Sequence, residues 1–441
     1  MKMIEDNNYV GLREWNKRVV IITCLIMTIS LYAPYIRTFT YIYQIVVVFF
    51  VLLVARKNVA SAIVPLLVLT TTRDYIAASV SESFSAYYGI NGLILTVIML
   101  IIGFVFLYKN HFILHSTRSS MMLVLFGMQM LLSRFFAVSL EEYGQFFIGI
   151  CIMYMVFPYA IQSKEDIVMS RIAFLISGIY MAVGILPYIV SYTEISAYTE
   201  FINGNNLLVD RNYQSLFVML CVFETIVLLI ENGKGCSWVI KGGLILTIIA
   251  DLIIVISGGS RSAILTVAAA AIVYLYVNRK NVKKIIPFLF ISGMIIMVAF
   301  QKGLFDVVLA RFNASDVSSG NGRLVYWQRY IDSYCDGNII TWFFGRGLVG
   351  MVYANNVAHN VFVSILFCFG IVGIVLFVGN IITTIINCLK TKHTSELIVL
   401  IPLLVMCCTL EPYYRIECAI YIPVVSSTAV YYLKRRKKYE F

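Results

Sequence analysis

An all-α polytopic membrane protein is the fold class that three properties of the sequence predict. The 441 residues are 60% hydrophobic and 13% charged, whereas soluble proteins have roughly 45–50% apolar and about 25% charged residues. Apolar runs close to the roughly 20 residues that a membrane-spanning helix needs recur from Val19 to Leu433. If successive runs cross the membrane in alternating directions, the basic residues between them fall mainly on one side. The first two properties exclude a soluble enzyme.

The apolar runs, divided at charged and loop residues, predict about fourteen spans. They cover 19–36, 39–55, 59–72, 90–108, 119–137, 144–161, 172–190, 212–231, 238–257, 262–278, 285–300, 359–387, 395–410 and 415–433. The third run is short for a crossing and could be tilted or re-entrant. We therefore expect one membrane domain over 1–441, interrupted by a long extracytoplasmic loop over 301–358.

The net charge of +11 is explained first by the excess of lysine and arginine in cytoplasmic loops. With both termini in the cytoplasm, most of the 34 basic residues lie inside and the outer face holds almost only arginine. Lysine and arginine are equally effective in setting the orientation of a protein in the membrane. A preference for arginine on the outer face therefore favours another role, the binding of phosphate or carboxylate. The alternative is that these arginines pair with outer acids. Neither interpretation requires a nucleic-acid partner.

The loop over 301–358 is far longer than a connection between spans requires. Its sequence predicts a helix over roughly 322–335, capped by 319–321 and stopped by Gly337 and Asn338. One face of this helix would carry apolar side chains, namely Leu324, Trp327, Tyr330, Ile331 and Tyr334. The helix could lie on the membrane interface, or it could form a lid over a cavity with Arg323 and Arg329 on its polar side.

Short polar motifs mark the outer ends of several predicted spans. The sequence SGGSRSA at 257–263 favours an anion-binding site. Backbone N–H donors near Ser260 would lie at the start of a helix, and Arg261 would add a guanidinium that can bind an anion through two N–H groups. It could equally be a short turn whose arginine reaches the membrane surface. In DRNY at 210–213, Asp210 could be a helix cap that pairs with Arg211.

Two further motifs carry groups that can take up a proton. His359 is the one of four histidines that falls outside, and a neutral imidazole can accept a proton from a sugar hydroxyl. It precedes Asn360 at the mouth of a span. In EPYYR at 411–415, Glu411 could be a base or an orienting carboxylate, or it could form an ion pair with Arg415. Inside the spans, Glu224 and Asp251 should face the bundle interior.

The order of these motifs resembles that of the O-antigen polymerases and O-antigen ligases, which act on lipid-linked glycans at the outer face of bacterial membranes. The resemblance rests on SGGSRSA (257–263), GRLVYW (322–327), FFGRGLVG (343–350) and AHNVFVSILFCFGIVGIVLF (358–377). It covers roughly 205–380. In that family a serine–arginine turn, a long external loop with a G-x-G stretch and a histidine–asparagine pair recur in this order.

The resemblance implies a glycosyltransferase of the GT-C type that uses no nucleotide sugar, cofactor or bound metal. By position, Arg261 would hold the diphosphate of a polyprenyl-linked donor, with Arg211 and Arg323 around it, and His359 would activate the acceptor hydroxyl. The family's usual Asp-Pro-Asn is here Asp210-Arg211-Asn212. Residues in supporting positions would be Ser260, Asn360, Arg329 and Arg415.

The expected function is a polymerase of a surface polysaccharide such as O-antigen, capsule or exopolysaccharide. It would use an undecaprenyl-diphosphate-linked oligosaccharide within membrane lipid, in the bacterial cytoplasmic membrane, with its active site facing the periplasm or cell exterior. A chain-length regulator and a flippase are candidate partners. One alternative is a ligase, although about fourteen spans favours a polymerase over ligases, which typically have twelve. Another is a lipid-linked oligosaccharide flippase, but such transporters are usually built from related halves that this sequence does not show.

Overall fold

The computed structural model describes residues 2–32, 37–80, 92–109, 117–133, 143–191, 211–258, 260–279, 293, 297, 323–347 and 358–439. Helices dominate these residues, and none of them forms a strand. The first part of the chain contains α1 (Lys2–Tyr32), α2 (Arg37–Lys57), α3 (Val59–Leu66), α4 (Arg73–Val80), α5 (Gly92–Lys109), α6 (Arg118–Ser133), α7 (Tyr143–Val156) and α8 (Lys164–Ser191).

The second part contains the helices that carry most of the candidate site residues. They are α9 (Arg211–Asn232), α10 (Trp238–Ser257), α11 (Arg261–Asn278), α12 (Arg323–Cys335), α13 (Ile339–Phe344), α14 (Val361–Thr391), α15 (Leu397–Cys407) and α16 (Ile416–Tyr439). Short 3-10 turns cover Phe157–Tyr159, Gly233–Gly235, Thr394–Glu396 and Pro412–Tyr414.

Seven described helical segments are long and apolar enough to cross a membrane, which confirms an α-helical membrane protein. They are Phe39–Lys57, Val59–Ile76, Lys164–Ile189, Asn212–Asn232, Trp238–Ser257, Val361–Thr391 and Ile416–Arg436. Four shorter apolar helices accompany them: Ile94–Lys109, Phe147–Tyr159, Arg261–Val277 and Thr394–Cys407. Every predicted span contains a described helix except 285–300, which lies outside the described residues apart from 293 and 297.

The third predicted span, expected to be short, belongs to a longer helical stretch at the centre of the bundle. The helices α3 and α4 are joined by a π-helical turn at Leu67–Thr72, and 89% of the apolar window Val59–Ile76 is buried. Asn58 caps α3 by accepting the backbone N–H of Ala60 at 2.8 Å, and its side chain donates to Asp166 at 2.8 Å. This stretch is therefore a core element rather than a lipid-facing one.

Helix α14 is divided by a kink at Gly370, whose backbone has φ 67° and ψ −166°. Its 31 residues would make a helix of about 46 Å, longer than the roughly 30 Å of a bilayer core. The part after the kink is long enough for one crossing, while the part before it carries His359 and Asn360 at its start.

The kink also docks the segment that contains α12 and α13. Carbonyl oxygens of Phe367 and Cys368 accept the backbone N–H groups of Arg346 and Gly347, each at 2.9 Å. A kink frees such carbonyls, and they need partners when they are buried. Gly345 has φ 79°, so glycine is required on both sides of this contact.

Candidate active site

Four segments that are distant in sequence meet at one end of the bundle. They are the start of α9, the turn between α10 and α11, the start of α14, and the turn before α16. The Ser260 hydroxyl donates to the Asn212 side chain at 3.0 Å, which joins the first two segments. The Asn360 side chain donates to the Cys408 carbonyl at 3.3 Å, which joins the last two.

Tyrosine side chains connect these two pairs of segments. The hydroxyl of Tyr213 lies 2.7 Å from that of Tyr414, and it accepts the backbone N–H of Glu411 at 3.4 Å. The guanidinium of Arg415 lies 4.1 Å from the ring centre of Tyr213 and 5.7 Å from that of Tyr414. We call the assembled group the Glu411 cluster. Its members are Asn212, Tyr213, Ser260, His359, Asn360, Glu411, Tyr414 and Arg415.

Glu411 is fully buried in this cluster, and neither of its carboxylate oxygens has a hydrogen bond of normal geometry. Burial raises its pKa to about 8, while the nearby backbone N–H groups of His359 and Ala358 act to lower it. A carboxyl group with this pKa changes charge close to neutral pH. It can therefore accept or release a proton during a reaction.

Arg415 carries a permanent positive charge in the same cluster, but it does not pair with Glu411. Its Nε atom is buried without a hydrogen bond. Among the described residues it forms none of the salt bridges. The interpretation of Glu411 and Arg415 as an ion pair is therefore wrong. The turn between them is a 3-10 turn at Pro412–Tyr414, so the two side chains do not share a helix face.

His359 and Asn360 are positioned by the start of α14. Asn360 is the N-cap, and its side-chain oxygen accepts the backbone N–H groups of Phe362 at 2.9 Å and Val363 at 3.2 Å. His359 has a left-handed backbone with φ 51°, which is uncommon for a residue other than glycine. Strain of this kind persists where the surroundings hold a residue in place, and it often occurs at functional sites.

The three arginines expected to hold a diphosphate each begin a helix. Arg211 is the first residue of α9, and its side chain lies outside the described part of the chain. Arg261 begins α11 directly after Ser260, and Arg323 begins α12; both are half-buried. Helix N-termini favour anions, so each position suits a phosphate group.

Helix α12 confirms the predicted helix in the long loop, while its predicted cap at 319–321 lies outside the described residues. Trp327 donates its indole N–H to the Ala358 carbonyl at 2.7 Å, which joins this helix to the start of α14. Tyr330 and Tyr334 are buried as expected, but Leu324 and Ile331 are 53% and 39% exposed. One part of the apolar face of α12 therefore packs against the protein, and the other part is exposed on its surface.

Arg329 is not brought into the Glu411 cluster. It is exposed on α12 and lines a surface cavity with Asp332, Ser333, Asp336 and Arg346. Arg346 in turn donates to the Ser333 carbonyl at 2.6 Å. The two arginines therefore lie among acidic groups of the same segment.

Two tyrosines of the cluster were given no role by the sequence analysis. Tyr213 and Tyr414 both stand inside the motifs considered above, next to charged residues. Their position was a usable signal, because aromatic rings next to an arginine can hold its guanidinium. Glu224 and Asp251 are 4% and 0% exposed, which confirms that they face the interior.

The fold and this site define an α-helical membrane protein with a polar, partly unpaired cluster at one end of its helices. The chain matches no protein-family model, and it also matches no curated protein and no solved structure.

Proposed function

We propose that the chain is a membrane glycosyltransferase that polymerises a surface polysaccharide. It has about fourteen spans and a GT-C-like architecture, with both termini in the cytoplasm and the Glu411 cluster facing the periplasm or cell exterior. The observation that carries the proposal is this cluster, in which neither carboxylate oxygen of Glu411 has a hydrogen bond of normal geometry and Arg415 forms no salt bridge with a described residue. A buried polar group without a hydrogen bond calls for an explanation, and a catalytic role is one such explanation.

The reaction suits these groups. A hydroxyl oxygen of the incoming repeat unit attacks the anomeric carbon of the growing glycan, and the bond from that carbon to the phosphate oxygen breaks. Undecaprenyl diphosphate leaves with the bonding electrons, and the hydroxyl proton passes to a base. Fixed guanidinium groups stabilise the charge that develops on the leaving diphosphate. Arg261, Arg323 and Arg211 are assigned to this role, together with Arg415.

The base is assigned to His359, with Glu411 as the second proton acceptor next to it. A neutral imidazole is available above its ordinary pKa of about 6.5. The Glu411 carboxylate becomes available only near pH 8 because burial raises its pKa to about 8. The pH profile of chain extension therefore tests the assignment to Glu411, since loss of this carboxylate removes the ionisation near pH 8.

The test is deletion of the gene in its host, followed by complementation and sizing of the surface glycan. We expect deletion to abolish long glycan and the wild-type gene to restore it, while Arg261→Ala and His359→Ala fail to restore it at normal membrane abundance. Glu14→Gln is the matched control, because this carboxylate is exposed and far from the cluster in sequence. Normal glycan length with both site variants would contradict the proposal.

The same experiment distinguishes a ligase, which would use the same groups on a different acceptor. A polymerase leaves a ladder of lipid-linked glycan lengths, and its loss removes that ladder. Loss of a ligase leaves the ladder intact while the unmodified acceptor accumulates. A flippase would move the lipid-linked unit without extending it, so chain extension in proteoliposomes with substrate on the outer side excludes it.

A further inference from the structure

A second charged cluster lies at the other end of α9. Arg171 on α8 contacts three carboxylates: its Nε lies 3.4 Å from Glu224, and its terminal nitrogens bond Glu231 and Glu396. The side chains of Arg171, Glu224 and Glu396 are 2%, 5% and 3% exposed, and that of Glu231 is 18% exposed. With His393 and Ser395 they form what we call the Arg171 cluster.

This cluster has more negative than positive charge. Three carboxylates surround one guanidinium, so with all three ionised and His393 neutral their formal charges sum to −2. Glu224 shows this excess of negative charge: it is 4% exposed, and its Oε2 has no hydrogen bond, only the 3.4 Å contact with Arg171 Nε. Buried carboxylates need a compensating charge. The guanidinium of Arg171, already shared with Glu231 and Glu396, does not supply all of it.

His393 adds a nitrogen ligand to the same place. Its Nε2 lies 3.1 Å from Glu231 Oε1 and 3.9 Å from Glu396 Oε1. The imidazole ring stacks on Tyr432 with ring centres 3.6 Å apart, which fixes the direction of this nitrogen. The Ser395 hydroxyl donates to Glu231 Oε1 at 2.5 Å and lies 3.4 Å from His393 Nε2.

We propose that Glu231, His393 and Glu396 bind one divalent transition-metal ion, of which Zn²⁺ is the simplest probe. Their ligand atoms all lie within 4.8 Å of one another. Bond lengths of about 2.0–2.1 Å place the ligands of a tetrahedral ion roughly 3.3 Å apart. The distances from His393 to the two carboxylates bracket that value. An ion of charge +2 also offsets the excess negative charge of the cluster.

Arg171 supports such an ion instead of excluding it. A carboxylate oxygen has two lone pairs, so an oxygen that accepts an N–H can still bind a metal. Outer hydrogen bonds of this kind orient metal-binding carboxylates. An imidazole ligand favours zinc and similar ions over Mg²⁺ or Ca²⁺, which prefer oxygen alone. The ion would fasten the end of α9 to the turn between α14 and α15.

The test uses the purified full-length protein in detergent with Zn²⁺ alone as the probe. We expect one Zn²⁺ per chain after removal of weakly held metal, and a higher midpoint of thermal unfolding when Zn²⁺ is added. His393→Ala should weaken binding by at least about tenfold and remove the thermal shift. His359→Ala is the matched control, because this histidine precedes α14 while His393 follows it, at the opposite end of the helix, and its loss should leave zinc binding unchanged.

A second measurement distinguishes zinc bound at the proposed site from zinc bound by cysteine thiols. Cys335 and Cys408 are exposed, so Co²⁺ is used as a spectroscopic probe and a Cys335→Ser/Cys408→Ser variant is compared with the wild type. Oxygen and nitrogen ligands give no thiolate-to-metal charge-transfer band, and binding should persist in the double variant. Unaltered zinc affinity in His393→Ala, loss of zinc with the two cysteines, or no zinc bound to the wild type would each overturn the proposal. In the last case protons alone neutralise the cluster.

Discussion

Two arginines at opposite ends of the helix bundle have contrasting surroundings. Arg171 contacts three carboxylates and lies where α8, α9 and the 3-10 turn at Thr394–Glu396 meet. Arg415 lies over the rings of Tyr213 and Tyr414 and has no salt bridge with any described residue. Arg415 contacts α9 at Tyr213 and Arg171 contacts it at Glu224 and Glu231, so their contacts lie about 16 to 27 Å apart along this helix.

The contrast teaches which charges hold the fold together and which are left for a ligand. A buried arginine among carboxylates stabilises the fold by compensating their charge, and its removal leaves that negative charge uncompensated. The guanidinium of Arg415 packs on aromatic rings and interacts electrostatically with Glu417 without a salt bridge, so its Nε–H remains for another molecule. We therefore expect loss of Arg171 to act mainly on stability and loss of Arg415 to act mainly on activity.

The largest effect is expected for Arg171→Ala. Removing this guanidinium leaves three carboxylates buried together, and breaking a buried ion pair in this way costs about 3–5 kcal/mol. The free energy of unfolding, measured in detergent with a denaturant, should fall by that amount, or the protein should fail to accumulate in the membrane. If Arg171→Ala is as stable as Arg415→Ala, the contrast between the two ends is wrong.

Arg415→Ala should lower the rate of chain extension about 10²-fold or more, the usual effect of removing one group that stabilises transition-state charge. Its thermal midpoint should change less than that of Arg171→Ala, because no salt bridge to a described residue is lost. The measurement is glycan extension at equal membrane abundance. Arg415→Lys is the informative companion: it keeps the charge but not the planar group, so we expect only partial recovery.

Gly370→Ala should detach the α12–α13 segment from α14 on the side of the Glu411 cluster. A Cβ at this residue, whose φ is 67°, would meet the backbone of Phe343 and Phe344. We expect a loss of about 1–3 kcal/mol in unfolding free energy and faster proteolysis within 323–347. Gly242→Ala is the matched control, because its Cβ would meet nothing within 4 Å, and it should be neutral or stabilising. Equal proteolysis of the two variants would show that the contact at the kink is unimportant.

Glu411→Gln should change how the free energy of unfolding depends on pH, and this is the smallest of the expected effects. The raised pKa means that the folded state holds the Glu411 proton more tightly than the unfolded state does. The stabilisation is complete below the ordinary value of 4.5 and is lost as pH rises through about 8. Between these values, wild-type stability should fall relative to Glu411→Gln by up to about 1.4 kcal/mol per pH unit. Parallel pH profiles would contradict this protonation behaviour.

Much of the fold could be predicted because apolar runs in a membrane protein directly mark helices. The buried positions of Glu224 and Asp251 could also be predicted, since charge in a span avoids lipid. The kink at Gly370 could not, because its cause is the backbone of a segment more than twenty residues earlier in the chain. A glycine within an apolar run carries no local sign of such a contact.

The parts of the site were easier to predict than their geometry. Motifs at 257–263, 359–360 and 411–415 drew attention to Ser260, Asn360 and Glu411, which the structure brings into one cluster. The pairing of Glu411 with Arg415 was considered from their spacing, but the 3-10 turn between them directs the side chains differently. The Arg171 cluster could not be predicted, because the three carboxylate partners of this arginine are distant from it in sequence.

The central claim is that the Glu411 cluster extends a glycan. Its most direct test places the purified protein in proteoliposomes with an undecaprenyl-diphosphate-linked repeat unit on the side of the cluster, and resolves the products by length. We predict a ladder from the wild type and from Glu14→Gln, and a loss of about 10²-fold or more in Glu411→Gln. A ladder from Glu411→Gln equal to that of the wild type would contradict the claim.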